Sequence, residues 1–241
     1  MKRTERQHLK ENEVQNFVRL ARQMFETRRG ESTVIIAVVA AVVLAAAGYY
    51  GWREHVQSRA TALLAEAMTV QDARIGPPPA PGTPANGIYF PTERERAQAA
   101  LTKFKVAADA YPSADAGIYA RYQLASTYMT LGQAPQAATA YQQVIDAAGT
   151  GIYGQMARLG LAEAQARAGQ YDQAINAFKD LSLRKDGPLP VDGILMQLGR
   201  VYLDAGKRTE AQQTFNRIVE EFPESPYTGD ARKELDNLKK T

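Results

Sequence analysis

The sequence predicts an all-α protein: a single N-terminal transmembrane helix followed by a right-handed α-solenoid of helical hairpins. Three observations predict it. Residues 32–52 carry no charge in a chain that is 23% charged overall. Farther on, a set of apolar and small residues recurs three times at a shift of 37 residues. Within each recurrence one glycine, at 132, 169 and 206, falls where a first helix has to end and turn. Four segments follow: a basic leader (1–31), the apolar span (32–52), a membrane-proximal helix with a proline-rich loop (53–91), and the repeats with a capping helix (92–241).

The leader carries Lys2, Arg3, Arg6, Lys10, Arg19, Arg22, Arg28 and Arg29, and its net charge is +3, the same as that of the whole chain. Its stretch "VQNFVRLARQMF" places Val14, Phe17, Val18, Ala21, Met24 and Phe25 on one helical stripe beside Arg19 and Arg22. Three roles fit such a helix: lying on an anionic leaflet, standing as an ordinary cytoplasmic helix, or binding a partner. The pI near 9.0 comes from this leader alone, so it does not point to nucleic acid.

At about 1.5 Å per residue, the uncharged stretch covers roughly the 30 Å of bilayer hydrocarbon. A cleaved signal has a short leader and a shorter apolar core, although Ala45-Ala46-Ala47 resembles a cleavage site. A soluble core helix would show a polar face over five turns. The reading is a single span. Four arginines precede it within twenty residues and two follow it, which places the N-terminus in the cytoplasm and the rest outside. Tyr49, Tyr50 and Trp52 form an aromatic belt at the far interface.

After the span, Val56, Ala60, Leu63, Ala67 and Val70 mark one face of a helix. The stretch "GPPPAPGTPANGIYFP" holds six of the twelve prolines, so neither helix nor strand is expected there, and Ile88, Tyr89 and Phe90 suggest that its end docks. Thr92 and Glu95 open the next helix as a capping box, with Ala100 and Phe104 in the repeat register. These two helices make a degenerate zeroth hairpin.

The repeat columns are Leu124, Leu161 and Leu198; Ala125, Ala162 and Gly199; Gly132, Gly169 and Gly206; Ala137, Ala174 and Ala211; and Tyr141, Phe178 and Phe215. Tyr128 and Tyr202 form a sixth column that Gln165 breaks. A large residue beside a small one lets helices approach, the glycine ends the first helix, and Ala with an aromatic four residues later packs the second helix back. Of the three "GIY" triplets, only the one at 117 leads into a first helix in register, and those at 87 and 151 are read as coincidence or loop docking. Ser225 as N-cap with Pro226 at the first helical position starts a terminal lid carrying Ala231, Leu235 and Leu238.

"LASTYMTLGQAPQAATAY", "LAEAQARAGQYDQAINAF" and "LGRVYLDAGKRTEAQQTF", the last closed by Pro223, resemble the tetratricopeptide repeat over residues 116–229. The resemblance implies a concave groove lined by the first helices. Projected onto this chain, its register assigns Tyr119, Tyr122, Ser126, Met129 and Thr130, then Met156, Leu159, Glu163 and Arg167, then Met196, Arg200 and Asp204 to that partner-binding groove. Leu159 and Met196 also fit a role bridging neighbouring repeats, and Glu163/Arg167 and Arg200/Asp204 fit i,i+4 pairs on a solvated helix. Tyr122 and Ser126 stand where chaperone-tail clamps of this family use Lys and Asn, so no carboxylate clamp is expected.

The layout of basic leader, one span ending in "GWR" (51–53) and exported repeats resembles the bacterial ancillary subunit of the Sec translocon. That resemblance implies an inner-membrane adaptor with periplasmic repeats that links the translocon to periplasmic chaperones. The proline-rich insertion departs from the pattern. "FPESPYTGDARKEL" resembles repeat scaffolds of envelope assembly and cell division, and Ala37, Ala41 and Ala45 offer a small stripe for self-association through the span. No enzyme is expected. There is no cysteine and only His8 and His55, which leaves no thiol or histidine chemistry, no metal site and no cofactor motif.

Overall fold

The computed structural model describes residues 29–77, 87–184 and 187–240, with side chains from Ile36 onward. The leader helix expected at 14–25 and most of the proline-rich loop lie outside the described residues. The chain divides into two compact units, Met1–His55 and Val56–Thr241.

Helix α1, Arg29–Gln71, supplies the described part of the first unit. Its side chains from Ile36 to Trp52 are uncovered: Leu44 is 73% exposed and Trp52 63%. Among the described residues this is the helix long and apolar enough to cross a membrane. The rings of Tyr50 and Trp52 lie 5.9 and 6.3 Å from that of Tyr49, one aromatic group at the end of the apolar run.

In the second unit, the Val56–Gln71 part of α1 pairs with α2 (Glu93–Ala110). Three hairpins follow: α3 (Asp115–Thr130) with α4 (Ala134–Ala148), α5 (Ile152–Arg167) with α6 (Tyr171–Ser182), and α7 (Val191–Asp204) with α8 (Arg208–Glu221). A lid, α9 (Thr228–Lys240), closes the series. From α2 onward each helix packs on the next, and α3 also reaches α5. The zeroth hairpin forms where Ala67 and Val70 are buried facing Ala100 and Phe104, while Ala60, also buried, packs instead with Ala114 and Ala116 at the start of α3. Thr92 caps α2, its Oγ1 accepting from the Glu95 N–H at 3.2 Å.

The three turn glycines have φ of +74°, +77° and +73°. After each, the next N–H donates back to the sixth-column carbonyl: Gln133 to Tyr128, Gln170 to Gln165 and Lys207 to Tyr202, all at 2.8 Å. The glycine N–H itself reaches Met129, Ala166 and Leu203. This is the Schellman closure, which needs a left-handed residue. It is a backbone bond, so Gln165 breaks the side-chain column without breaking the turn.

Between the helices, Ala137, Ala174 and Ala211 are fully buried, as are the rings of Phe178 and Phe215, and Tyr141 nearly so. A Cβ added at Gly199 would lie 2.4 Å from the Phe215 ring, so Phe215 sits closer to α7 than an alanine there would allow. Gly117 and Gly154, 37 residues apart, form a further column: a Cβ at either would strike the carbonyl of Tyr111 or Gly149 in the preceding helix end.

Three expectations change. The lid starts at Thr228, not at Pro226, because Ser225 is spent on the preceding turn, accepting from the Tyr227 N–H and donating to Asp192 on α7. The proline-rich stretch ends in a strand: β2 (Tyr89–Phe90) pairs in parallel with β1 (Arg74–Ile75), and Phe90 docks on the zeroth core. Prolines block strands only where they sit, and the prolines of this stretch fall outside the two paired residues. The "GIY" at 151 also opens a first helix, with Gly151 as the N-cap of α5, three positions out of the register of Gly117.

Ala174→Glu should cost about 3–5 kcal/mol, since its carboxylate would enter a closed interior without a partner. Gly169→Ala should cost roughly 1–2 kcal/mol for a left-handed backbone bearing a Cβ. Thermal melts followed by circular dichroism check both, and an unchanged Ala174→Glu melt refutes the hairpin register.

Candidate partner-binding groove

The candidate site draws on the first helices α3, α5 and α7. On α3, Tyr119 and Tyr122 are half-buried and stack at 6.4 Å with planes 13° apart. The phenol of Tyr119 accepts from Gln123 Nε2 at 2.9 Å. Two tyrosines that the groove register did not assign complete the cluster: Tyr153 lies 5.3 Å from Tyr119, and Tyr141 of α4 meets Tyr122 edge-to-face at 5.7 Å. Tyr141 reaches this position because residue 160 on α5 is glycine, where a Cβ would sit 2.4 Å from its ring. The available signal was the column itself, which holds one tyrosine and two phenylalanines.

Glu163 of α5 adjoins this shelf. It forms no ion pair within 4 Å among the described residues, and burial pushes its carboxyl above the usual glutamate range, with the charge of Arg167 pulling the other way. Burial likewise raises Tyr122, helped by Glu163 and Tyr119. Tyr141 is raised for the same first reason, then by Tyr122 and Glu163, while Ser126 and Arg167 oppose. Ser126, Glu163 and Arg167 therefore belong to one electrostatic neighbourhood with the tyrosines.

Beyond Glu163 a recess of about 250 Å³ opens between α5 and α7, bordered by Glu163, Arg167, Gln197, Arg200 and Asp204 over a floor of Phe178 and Val201. The guanidinium of Arg200 turns toward Asp230 of the lid, 3.8 Å away, and makes no ion pair with Asp204 within 4 Å among the described residues.

Of the assigned groove residues, Tyr119 and Tyr122 belong to the aromatic cluster, Ser126 is half-buried one turn beyond Tyr122 on α3, and Glu163, Arg167, Arg200 and Asp204 border the recess. Met156 is half-buried on α5, and Leu159 packs on the neighbouring core, as its bridging alternative holds. Two residues are corrected. Met196 is 0% exposed and Met129 9%, both inside the core, so neither offers a contact surface. Helical spacing alone cannot separate the groove-facing flank of a first helix from the flank turned to its own hairpin. Thr130 lines a separate recess beside Thr92, Glu93 and Arg94.

A family profile described as a tetratricopeptide repeat-like domain matches residues 27–239. The chain belongs to this family. Tetratricopeptide-like domains are generally non-catalytic scaffolds for protein and peptide binding. Among solved structures, the nearly identical tetratricopeptide-like repeats of a Podospora anserina chain assigned as a kinesin light chain superpose with a TM-score of 0.57 at 16% identity, covering 76% of this chain and 86% of that one. A point-substituted form of the same repeats gives 0.56 at 16% identity, with 76% and 85% covered. A repeat protein from Parabacteroides merdae gives 0.48 at 16%, with 61% and 55% covered. The two Podospora similarities concern the fold. Among curated proteins, none matches this sequence significantly.

The tetratricopeptide-like groove carries a pH signature. A carboxyl raised by folding adds stability that is complete below its unfolded pKa and is lost as pH rises through the folded value. Acidifying from neutral through the raised range of Glu163 should therefore raise the melting temperature relative to Glu163→Gln, whose amide does not titrate. Parallel melts at stepped pH check this, and identical pH slopes refute it.

Proposed function

We propose that this protein is a single-pass membrane adaptor whose exported repeats hold segments of other proteins at the outer face of a bacterial inner membrane. The observation that carries the reading is the run Ile36–Trp52, apolar and uncovered, in the same chain as a tetratricopeptide stack. Uncovered apolar surface on this scale needs lipid or protein around it. Arginine is concentrated before the run, which favours a cytoplasmic N-terminus and periplasmic repeats. The groove supplies aromatic rings and the Glu163 carboxyl, which has no ion pair within 4 Å among the described residues, to a partner.

The finer reading is that the partners are the Sec translocon and periplasmic chaperones. It rests on the basic leader, the "GWR" step after the span and the exported repeats, taken together. A second reading, a self-associating scaffold of envelope assembly or cell division, draws on Ala37, Ala41 and Ala45 with Gly48, where a helix face is open enough for a second helix to approach.

Alkaline carbonate should leave the intact chain in the membrane pellet, and protease added to spheroplasts should digest the repeats. Release into the supernatant refutes the anchor, and full protection refutes the topology. A photo-crosslinker replacing Tyr119 should capture translocon components or periplasmic chaperones in native membranes. Adducts with copies of the chain alone replace the adaptor by the scaffold.

A further inference from the structure

The groove has a chemical preference. We infer that the tyrosine shelf and Glu163 together form a receptor for a cationic side chain, lysine or arginine, on an extended protein segment. This rests on the proposal that the groove takes protein segments, and it specifies which segments.

The argument is one of charge complementarity. Aromatic faces carry negative potential and attract cations. Tyr119 and Tyr122 stack at 6.4 Å and Tyr153 lies 5.3 Å from Tyr119, all three half-buried, so their rings border one place, with the buried Tyr141 ring backing Tyr122 at 5.7 Å. On α5, Gly160 abuts the Tyr141 ring that meets Tyr122, and Glu163 stands one turn further along the same helix, which puts a carboxylate at the edge of the same shelf. That carboxylate is half-buried and has no counter-ion within 4 Å among the described residues. A half-buried carboxylate beside π faces gains from an incoming cation both a charge partner and the rings.

The neighbouring charges agree with this sign. The recess beyond Glu163 adds Asp204, Arg167 and Arg200, and Asp230 of the lid stands 3.8 Å from Arg200. Three carboxylates thus face two guanidiniums, leaving an excess of one negative charge. Arg167 is the resident cation acting on Glu163, on the same helix one turn away, and its side chain is exposed. It holds the place weakly and competes with a ligand. An acidic segment would meet Glu163 and the ring faces, both unfavourable.

The test uses the full chain in detergent micelles and one acetylated, amidated host peptide, Ala-Pro-Tyr-X-Pro-Ala, with X as Lys, Gln or Glu. Binding is read from the methyl resonance of labelled Met156, and melts establish that each variant is folded. The Lys peptide should bind roughly 3- to 30-fold more tightly than the Gln peptide, with the Glu peptide weakest. Glu163→Gln should erase the Lys advantage, Arg167→Gln should enlarge it, and Tyr122→Phe should keep what Tyr122→Leu loses. The advantage should also fade on acidification through the raised range of Glu163, with Arg167, Tyr122, Tyr141, Arg200 and Asp204 as the surrounding titratable and charged groups. Equal binding of Lys and Gln peptides, a Lys advantage that survives Glu163→Gln, or tightest binding of the Glu peptide overturns the cation receptor and leaves the groove standing. Absence of binding by all three at millimolar concentration overturns the groove as well.

Discussion

The close fit of small residues against aromatic rings is the constraint on which the repeat stack depends. At Ala137, Ala174 and Ala211 no side chain extends past Cβ, so adjacent helices come near enough for Tyr141, Phe178 and Phe215 to fill the space between them. Burying such a ring is worth about 1.5–3 kcal/mol relative to exposure, and several rings placed this way supply much of the driving force of a hairpin. Interiors this dense tolerate little volume change in either direction. Gly160 and Gly199 show the limit: there even a methyl group would overlap a ring.

The same fit decides what remains for the groove. Because the phenylalanines and Met196 are consumed inside, the outward flank of the first helices is left to tyrosines, a carboxylate and arginines. Tyr141 belongs to both worlds, its ring body packed in the core and its edge against Tyr122. A phenylalanine in its place, as in the other two copies, would pack the hairpin and lose the hydroxyl that lies against Ser126 beneath the groove. Specificity in a repeat protein thus arises where one copy departs from its siblings.

The first unit obeys the opposite rule. Among the described residues, its apolar side chains between Ile36 and Trp52 are exposed, whereas in the second unit alanines of the helix faces are sealed. One helix, Arg29–Gln71, carries both patterns, and the change falls near His55, where the compact units divide. A uniformly apolar circumference suits a uniform apolar surrounding, and a one-sided stripe suits a neighbouring helix.

The sequence by itself determined the helical class, the hairpin period, the turn glycines and the capping of α2, because each depends on local backbone chemistry or on spacing along one helix. It also marked Tyr119, Tyr122, Glu163 and Arg167 for the groove, since repeat register carries face information. Only the tertiary structure decided that Met129 and Met196 turn inward, that Tyr141 and Tyr153 join the aromatic shelf, that Arg200 reaches the lid, and that Tyr89–Phe90 pairs with Arg74–Ile75. Each of these depends on which neighbouring helix or strand lies opposite a given flank, and contacts between residues distant in the chain leave no period in the sequence.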